Sequence, residues 1–289
     1  MIDRVIKAAS VMTIPQARSV LRFVCSVQYD GWKTADLGAW HYVKREKFIK
    51  RMKSATDRVL NYARHETLRK VEKHFRDTGM AAAEEQQPTA VRLTFDKTIF
   101  GEELLAALKE EQTTALQRAG QALYDEIGKD DPFKLPDETV IRFMDERANL
   151  LANVPDEIHA EIMESIHQGL EQGESRKELM DRISAAFDEI ESGRAETIAN
   201  TETAAAFNFA RDKAMRNAGV THKKWLHSQS PLIKEPRPTH IEADGQVQPY
   251  DEPFDIGGVQ FMHPGDDSLG AGPEDIINCH CVAIPVEAP

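Results

Sequence analysis

The feature that most constrains this chain is a change of texture at Gly219. Before it, apolar residues recur at helical spacing in one segment after another. After it, proline and glycine interrupt the chain every few residues and no helical run is sustained. Helices followed by a short turn-rich stretch predict a mainly α protein with a small α+β C-terminal subdomain. The 289 residues are enough for a sizeable core. The pattern divides the chain into a helical N-terminal region (1–90) suited to docking, a helical central part (91–219) and a β- and loop-rich end (220–289).

Residues 1–25 show helical spacing, interrupted at Pro15, and residues 26–43 mix glycine, aspartate and aromatics in the manner of a loop. From Lys44 to Arg76 the pattern is strongly helical, with Phe48, Met52, Ala55, Val59 and Tyr62 forming one apolar stripe. Residues 77–90 read as a linker, and the alternating Val91–Phe100 as a strand or an extended connector. Gly101–Ile127 is a helix whose apolar positions are Leu104, Leu105, Leu108, Leu116 and Leu123. Further helices are expected from Pro136 or Asp137 to Asn153 and from Pro155, a first-turn proline, to Gly169. Ser175 and Glu178 then form a capping box at the start of a helix that runs to about Glu191. A last long helix extends from Arg194 to Gly219, which has the place of a C-terminal cap glycine.

The net charge of −12 argues against a surface that coats nucleic acid throughout. The charge is uneven, however. Lys44–Arg76 holds twelve Lys/Arg against four Asp/Glu, a local balance of +8 that leaves −20 elsewhere. Lys44, Arg45, Lys47, Lys50, Arg51 and Lys53 are therefore candidate phosphate contacts; a solvated helix face is the plainer reading. Cys25, Cys279 and Cys281 are too few and too oddly spaced for a disulfide framework, which fits a reducing compartment. No run of about 18 apolar residues predicts a membrane span. Asp3 and the polar break at Gln16–Arg18 spoil any secretory signal.

Several short elements follow one another in order: Gly173-Glu174-Ser175, Ile198-Ala199-Asn200-Thr201-Glu202, Trp225, His240-Ile241-Glu242-Ala243-Asp244-Gly245, Pro264-Gly265-Asp266 and Asn278-Cys279-His280-Cys281. Taken together, from about Glu138 to Pro285, they resemble the Mu F-like head-morphogenesis domain of tailed bacteriophages. Asn200 and His280 stand where that family often has arginine. The resemblance implies a minor virion protein, few copies per head, associated with the portal vertex or inner capsid face. Its implied partners are portal, major capsid or scaffold proteins, with packaged DNA as a further partner. It implies assembly in the host cytoplasm, no membrane and no cofactor.

Read as chemistry, the same residues leave other roles open. His240, Cys279 and Cys281 are the right types for zinc, with a fourth ligand from His263, His280 or Asp266; small buried cysteines also simply pack. Glu202, His240 and Asp244, with Asp266, could serve a hydrolase or a transferase-like effector, or be hydrogen-bonded structure. Asp244-Gly245 reads as a tight hairpin turn. Trp225 reads as a core anchor, and Asp266 as a turn residue capping its own backbone.

Overall fold

The computed structural model describes residues 34–78, 90, 92–228 and 236–287, with side chains from Arg45 onward. The expectations for residues 1–33, including Pro15 and Cys25, and for the linker at 79–89 lie outside the described residues. Among the described residues, five long helices come first: α1 (Thr34–Thr78), α2 (Lys97–Glu126), α3 (Asp137–Leu151), α4 (Val154–Glu171) and α5 (Arg176–Asn217). The remainder is β1 (His222–Leu226), α6 (Pro238–Glu242), β2 (Val247–Pro249), β3 (Phe254–Ile256), β4 (Val259–Phe261), α7 (Pro273–Ile276) and β5 (Val282–Val286). The chain is thus mainly α, with a small α+β segment at its C-terminal end.

Two compact units interleave along the sequence. One comprises Lys47–Thr113 and Pro136–Thr203; the other, among the described residues, comprises 34–46, 114–135 and 204–287.

Among the described residues, the first unit holds helices and no strand. Its core is a continuous apolar cluster that includes Val59, Phe95, Phe100, Leu104, Ile162 and Phe187. On α1, Met52, Ala55 and Val59 are buried as the stripe predicts, but Tyr62 is 53% exposed and Ala63 takes the inward position. A stripe stepping by 3.5 residues drifts around a 3.6-residue helix, so a step of four must eventually replace a step of three. Leu105 likewise faces outward while Leu104 and Leu108 are buried.

Three boundaries differ from expectation. Residues 34–43 are helix rather than loop. Val91–Phe100 is neither strand nor extended: Arg92 and Leu93 are helical and α2 begins at Lys97, with Asp96 Oδ1 accepting the backbone N–H groups of Thr98 and Ile99. Aspartate at that place caps the orphan donors of a helix start, which outweighs the local β preference. The two helices expected to meet near Arg194 are one, because Gly193 sits inside α5 with no positive φ. The capping box forms, with Ser175 N–H donating to Glu178 Oε2 at 2.8 Å. Gly219 ends the long helix at φ 71°.

In the second unit, β1 is the centre of an antiparallel sheet of order β2-β1-β5, and β3 and β4 form a separate two-stranded hairpin. Trp225 is fully buried on β1, edge-to-face with Phe254 at 5.4 Å and Phe261 at 5.8 Å. It is a core anchor, as its sequence setting suggests.

Candidate functional site

Strand β1 and what it carries position the main polar cluster. In an extended chain, residues two apart share a face, so His227, just past the strand, follows Trp225. The Trp225 ring packs against the His240 imidazole at 5.5 Å. His240 lies on α6, whose short length is set by Pro238 in its first turn and by Gly245 (φ 86°) after it. Gly245 N–H donates to the Trp225 carbonyl at 2.9 Å, and Trp225 N–H donates to the Gln246 carbonyl at 2.9 Å. Asp244-Gly245 is therefore not a strand-to-strand hairpin. It joins a helical turn to β2 and clips both onto β1. Asp244 Oδ1 accepts the backbone N–H of His227 at 2.9 Å, so this carboxylate fixes the position of that histidine.

The C-terminal contribution arrives through Asn278, which has φ 54° and is the one non-glycine residue with positive φ among those described. Asparagine tolerates this left-handed conformation better than most residues. The turn ends α7 and sends Cys279 and Cys281 inward. Both cysteines are free and buried. Cys279 Sγ and Cys281 Sγ each lie 3.6 Å from His240 Nδ1, and Cys281 Sγ lies 3.7 Å from His227 Nδ1. The ligand atoms of His240, Cys279 and Cys281 are all within 4.8 Å of one another.

The backbone of this run is tied down separately. Arg45 donates to the His280 carbonyl at 2.6 Å and Asn208, on α5, to the Cys281 carbonyl at 3.0 Å. Hydrogen bonding from Cys281 holds the Cys279 thiol well below its usual range, and Cys281 is pushed up in turn. Burial lowers His227, which keeps its ring neutral.

The Pro264-Gly265-Asp266 loop is a structural turn. Asp266 is buried and accepts the backbone N–H groups of Met262 (2.9 Å) and Ser268 (3.1 Å). Burial pushes its carboxyl up, but His263 and these hydrogen bonds overcome that and hold it below the ordinary value. The fully buried Lys223 of β1 donates to the Met262 carbonyl at 2.7 Å and anchors the loop. His263, His280 and Asp266, the three residues offered by the sequence as a fourth ligand, lie outside the group formed by His240, Cys279 and Cys281. His263 Nδ1 meets the Pro264 carbonyl at 3.2 Å, the His280 main chain binds Arg45, and Asp266 caps its loop.

Glu202 belongs to the helical unit and has its partners there. It is 1% exposed. Arg147 clamps it through Nε at 2.9 Å and a second nitrogen at 2.6 Å, and Gln112 Nε2 donates at 2.7 Å. Both carboxylate oxygens are thus used.

Of the six basic candidates, Arg45 is buried. Arg51 pairs with Glu111 at 2.6 Å and Lys53 with Asp57 at 2.8 Å. Lys47 and Lys50 are exposed, and the Lys44 side chain is outside the described residues. Further along α1, Lys70, Lys73 and Arg76 pair with acidic residues four positions away on the same helix.

Sequence reasoning assembled His240, Cys279 and Cys281 but missed His227, Asn208, Arg147 and Gln112. The i, i+2 relation to Trp225 was the available signal for His227. The others are polar residues on helices, and only their partners reveal their function.

Comparison with known proteins agrees with the motifs. Residues 160–284 match the family described as Phage Mu protein F like protein. The chain is 28% identical over 211 residues to the uncharacterized protein YqbB of Bacillus subtilis (strain 168), a match spanning 70% of this chain and 68% of that one. No solved structure matches the chain. Residues 160–284 are therefore similar to Mu F-like proteins.

Proposed function

We propose that this chain is a minor structural protein of a tailed-phage head, built in at the portal vertex or the inner capsid face. Its partners are portal, major capsid or scaffold proteins, and it acts while the head is assembled and DNA is packaged or ejected. The observation that carries a structural rather than a catalytic role is the state of the candidate catalytic residues. A general base or nucleophile needs a lone pair open to its substrate. Glu202 is buried with both oxygens bound by Arg147 and Gln112. Asp244 holds a backbone amide, and His240 faces two cysteines. Each motif residue serves the fold around it.

The basic segment supports the same reading. Arg51, Lys53, Lys70 and Lys73 on α1 each pair with a nearby carboxylate, as on a solvated or packed helix. No described helix is long and apolar enough to cross a membrane.

Electron microscopy of virions and procapsids, with the chain carrying an added density label, tests the reading. Label at the portal vertex or on the inner capsid wall is the expected result. A chain absent from both particles would overturn it.

A further inference from the structure

We propose that His227, His240, Cys279 and Cys281 bind a single structural zinc ion. The distances among His240, Cys279 and Cys281 fit three corners of a tetrahedral ion, with His227 beside Cys281 as the fourth. With Zn–S of about 2.3 Å and Zn–N of about 2.0–2.1 Å, a sulfur and a nitrogen ligand are separated by about 3.6 Å along a tetrahedral edge. Three of the four sulfur-to-nitrogen edges are 3.6, 3.6 and 3.7 Å; His240, Cys279 and Cys281 form the mutually close group, and His227 approaches it at Cys281. His227 completes the set from the side of Cys281, in place of the fourth ligands the sequence offered.

The charges fit as well. Two thiolates and two neutral imidazoles around a divalent ion make a neutral assembly, the form that burial favours. Both cysteines bind as thiolates, any thiol proton still present goes to solvent on binding, and no electron moves. Without an ion, this pocket holds two thiols and two imidazoles whose mutual contacts are long, and His240 Nε2 is buried without a hydrogen-bond partner among the described residues. With Nδ1 on the ion, Nε2 carries the ring proton and lies among the aromatic groups that pack on His240, Trp225 at 5.5 Å and Phe261 at 6.1 Å.

The local fold gives the ion its task. β2, β3 and β4 are three residues each, and the apolar cluster formed by Leu226, Val282 and Ile284 is small. The four ligands come from the end of β1, from α6 and from the run before β5. One ion therefore adds a link among three stretches that sheet pairing of β1 with β5 and packing of Trp225 on His240 already bring together. All four residues are at most 8% exposed, which describes a closed structural site rather than a catalytic one with an open position.

The test uses the full chain, expressed without a histidine tag in zinc-supplemented medium. Elemental analysis should find about one zinc per chain. Cobalt added to the chelator-treated chain should give the visible bands of a tetrahedral site and a thiolate charge-transfer band. Cys281→Ser should lose both. His227→Ala should keep thiolate charge transfer but lower zinc affinity by more than the roughly 10–100-fold typical of an outer-shell change. His222→Ala, whose ring meets Thr221, should bind as the parent does. Far-UV circular dichroism of each variant reports whether the helices remain folded. A parent chain that carries no zinc and gives no cobalt spectrum overturns the proposal. A His227→Ala chain with unchanged zinc affinity overturns the four-ligand set.

Discussion

The helical unit and the C-terminal segment from residue 220 onward are held together by different means. The helical unit buries one large apolar cluster, drawn from five helices and the turn before α2, so many residues share its stability. The C-terminal segment has strands of three to five residues and a small aliphatic cluster. Its shape depends on single polar residues: Asp244 on the His227 amide, Gly245 on the Trp225 carbonyl, Lys223 on the Met262 carbonyl and Asn278 at its left-handed turn. This difference explains why the recognisable motifs lie mostly in the second region. An apolar core accepts many sequences of similar volume, whereas a left-handed turn or a buried thiol accepts few.

The largest effect is expected where the helical unit departs from its own rule. Arg147 and Glu202 form a buried ion pair with side-chain exposures of 5% and 1%. Arg147→Ala leaves the carboxylate uncompensated and should cost about 3–5 kcal/mol in urea unfolding. Arg147→Leu with Glu202→Leu should recover most of that loss. Equal loss in the single and the double variant would mean that the pair does more than neutralise itself.

A smaller effect is expected at Gly245. Nothing lies within 4 Å of an added Cβ, so only the backbone conformation opposes a side chain there. Gly245→Ala should cost about 1–2 kcal/mol, and Gly245→Asn less. Thermal melts of the two variants compare them directly, and equal loss would show that φ is not the constraint.

The smallest effect concerns pH in the helical unit. His159 is lowered chiefly by burial, with Lys97 and Lys70 adding to it against Asp156 and Asp96. Its Nε2 meets Thr94 Oγ1 at 2.8 Å. The folded chain then binds fewer protons than the unfolded one as pH falls below about 6.5. Stability should therefore decline through that range and level off below the folded-state value. His159→Gln should flatten the melting temperature between neutral and mildly acidic pH; an unchanged slope would remove His159 as its source.

The sequence made the helices legible because their apolar spacing is a collective signal. The capping box at Ser175, Pro155 in a first turn and Gly219 at a helix end are all as expected. It was misleading where one local preference competed with another. Val91–Phe100 is rich in β-formers, yet Asp96 starts a helix there. Asp244-Gly245 is a hairpin dipeptide by composition, but α6 precedes it. In the polar cluster, three residues stood out by type. His227 did not, because its role comes from the register of β1 against Gly245 and Gln246, which no short motif records.

Hydrogen exchange of the full chain before and after chelation tests the division most directly. Amides of β1, α6, β2 and β5 should lose protection when zinc is withdrawn, while those of α3, α4 and the first half of α5 keep theirs. Uniform loss in both regions, or none in either, would contradict the account.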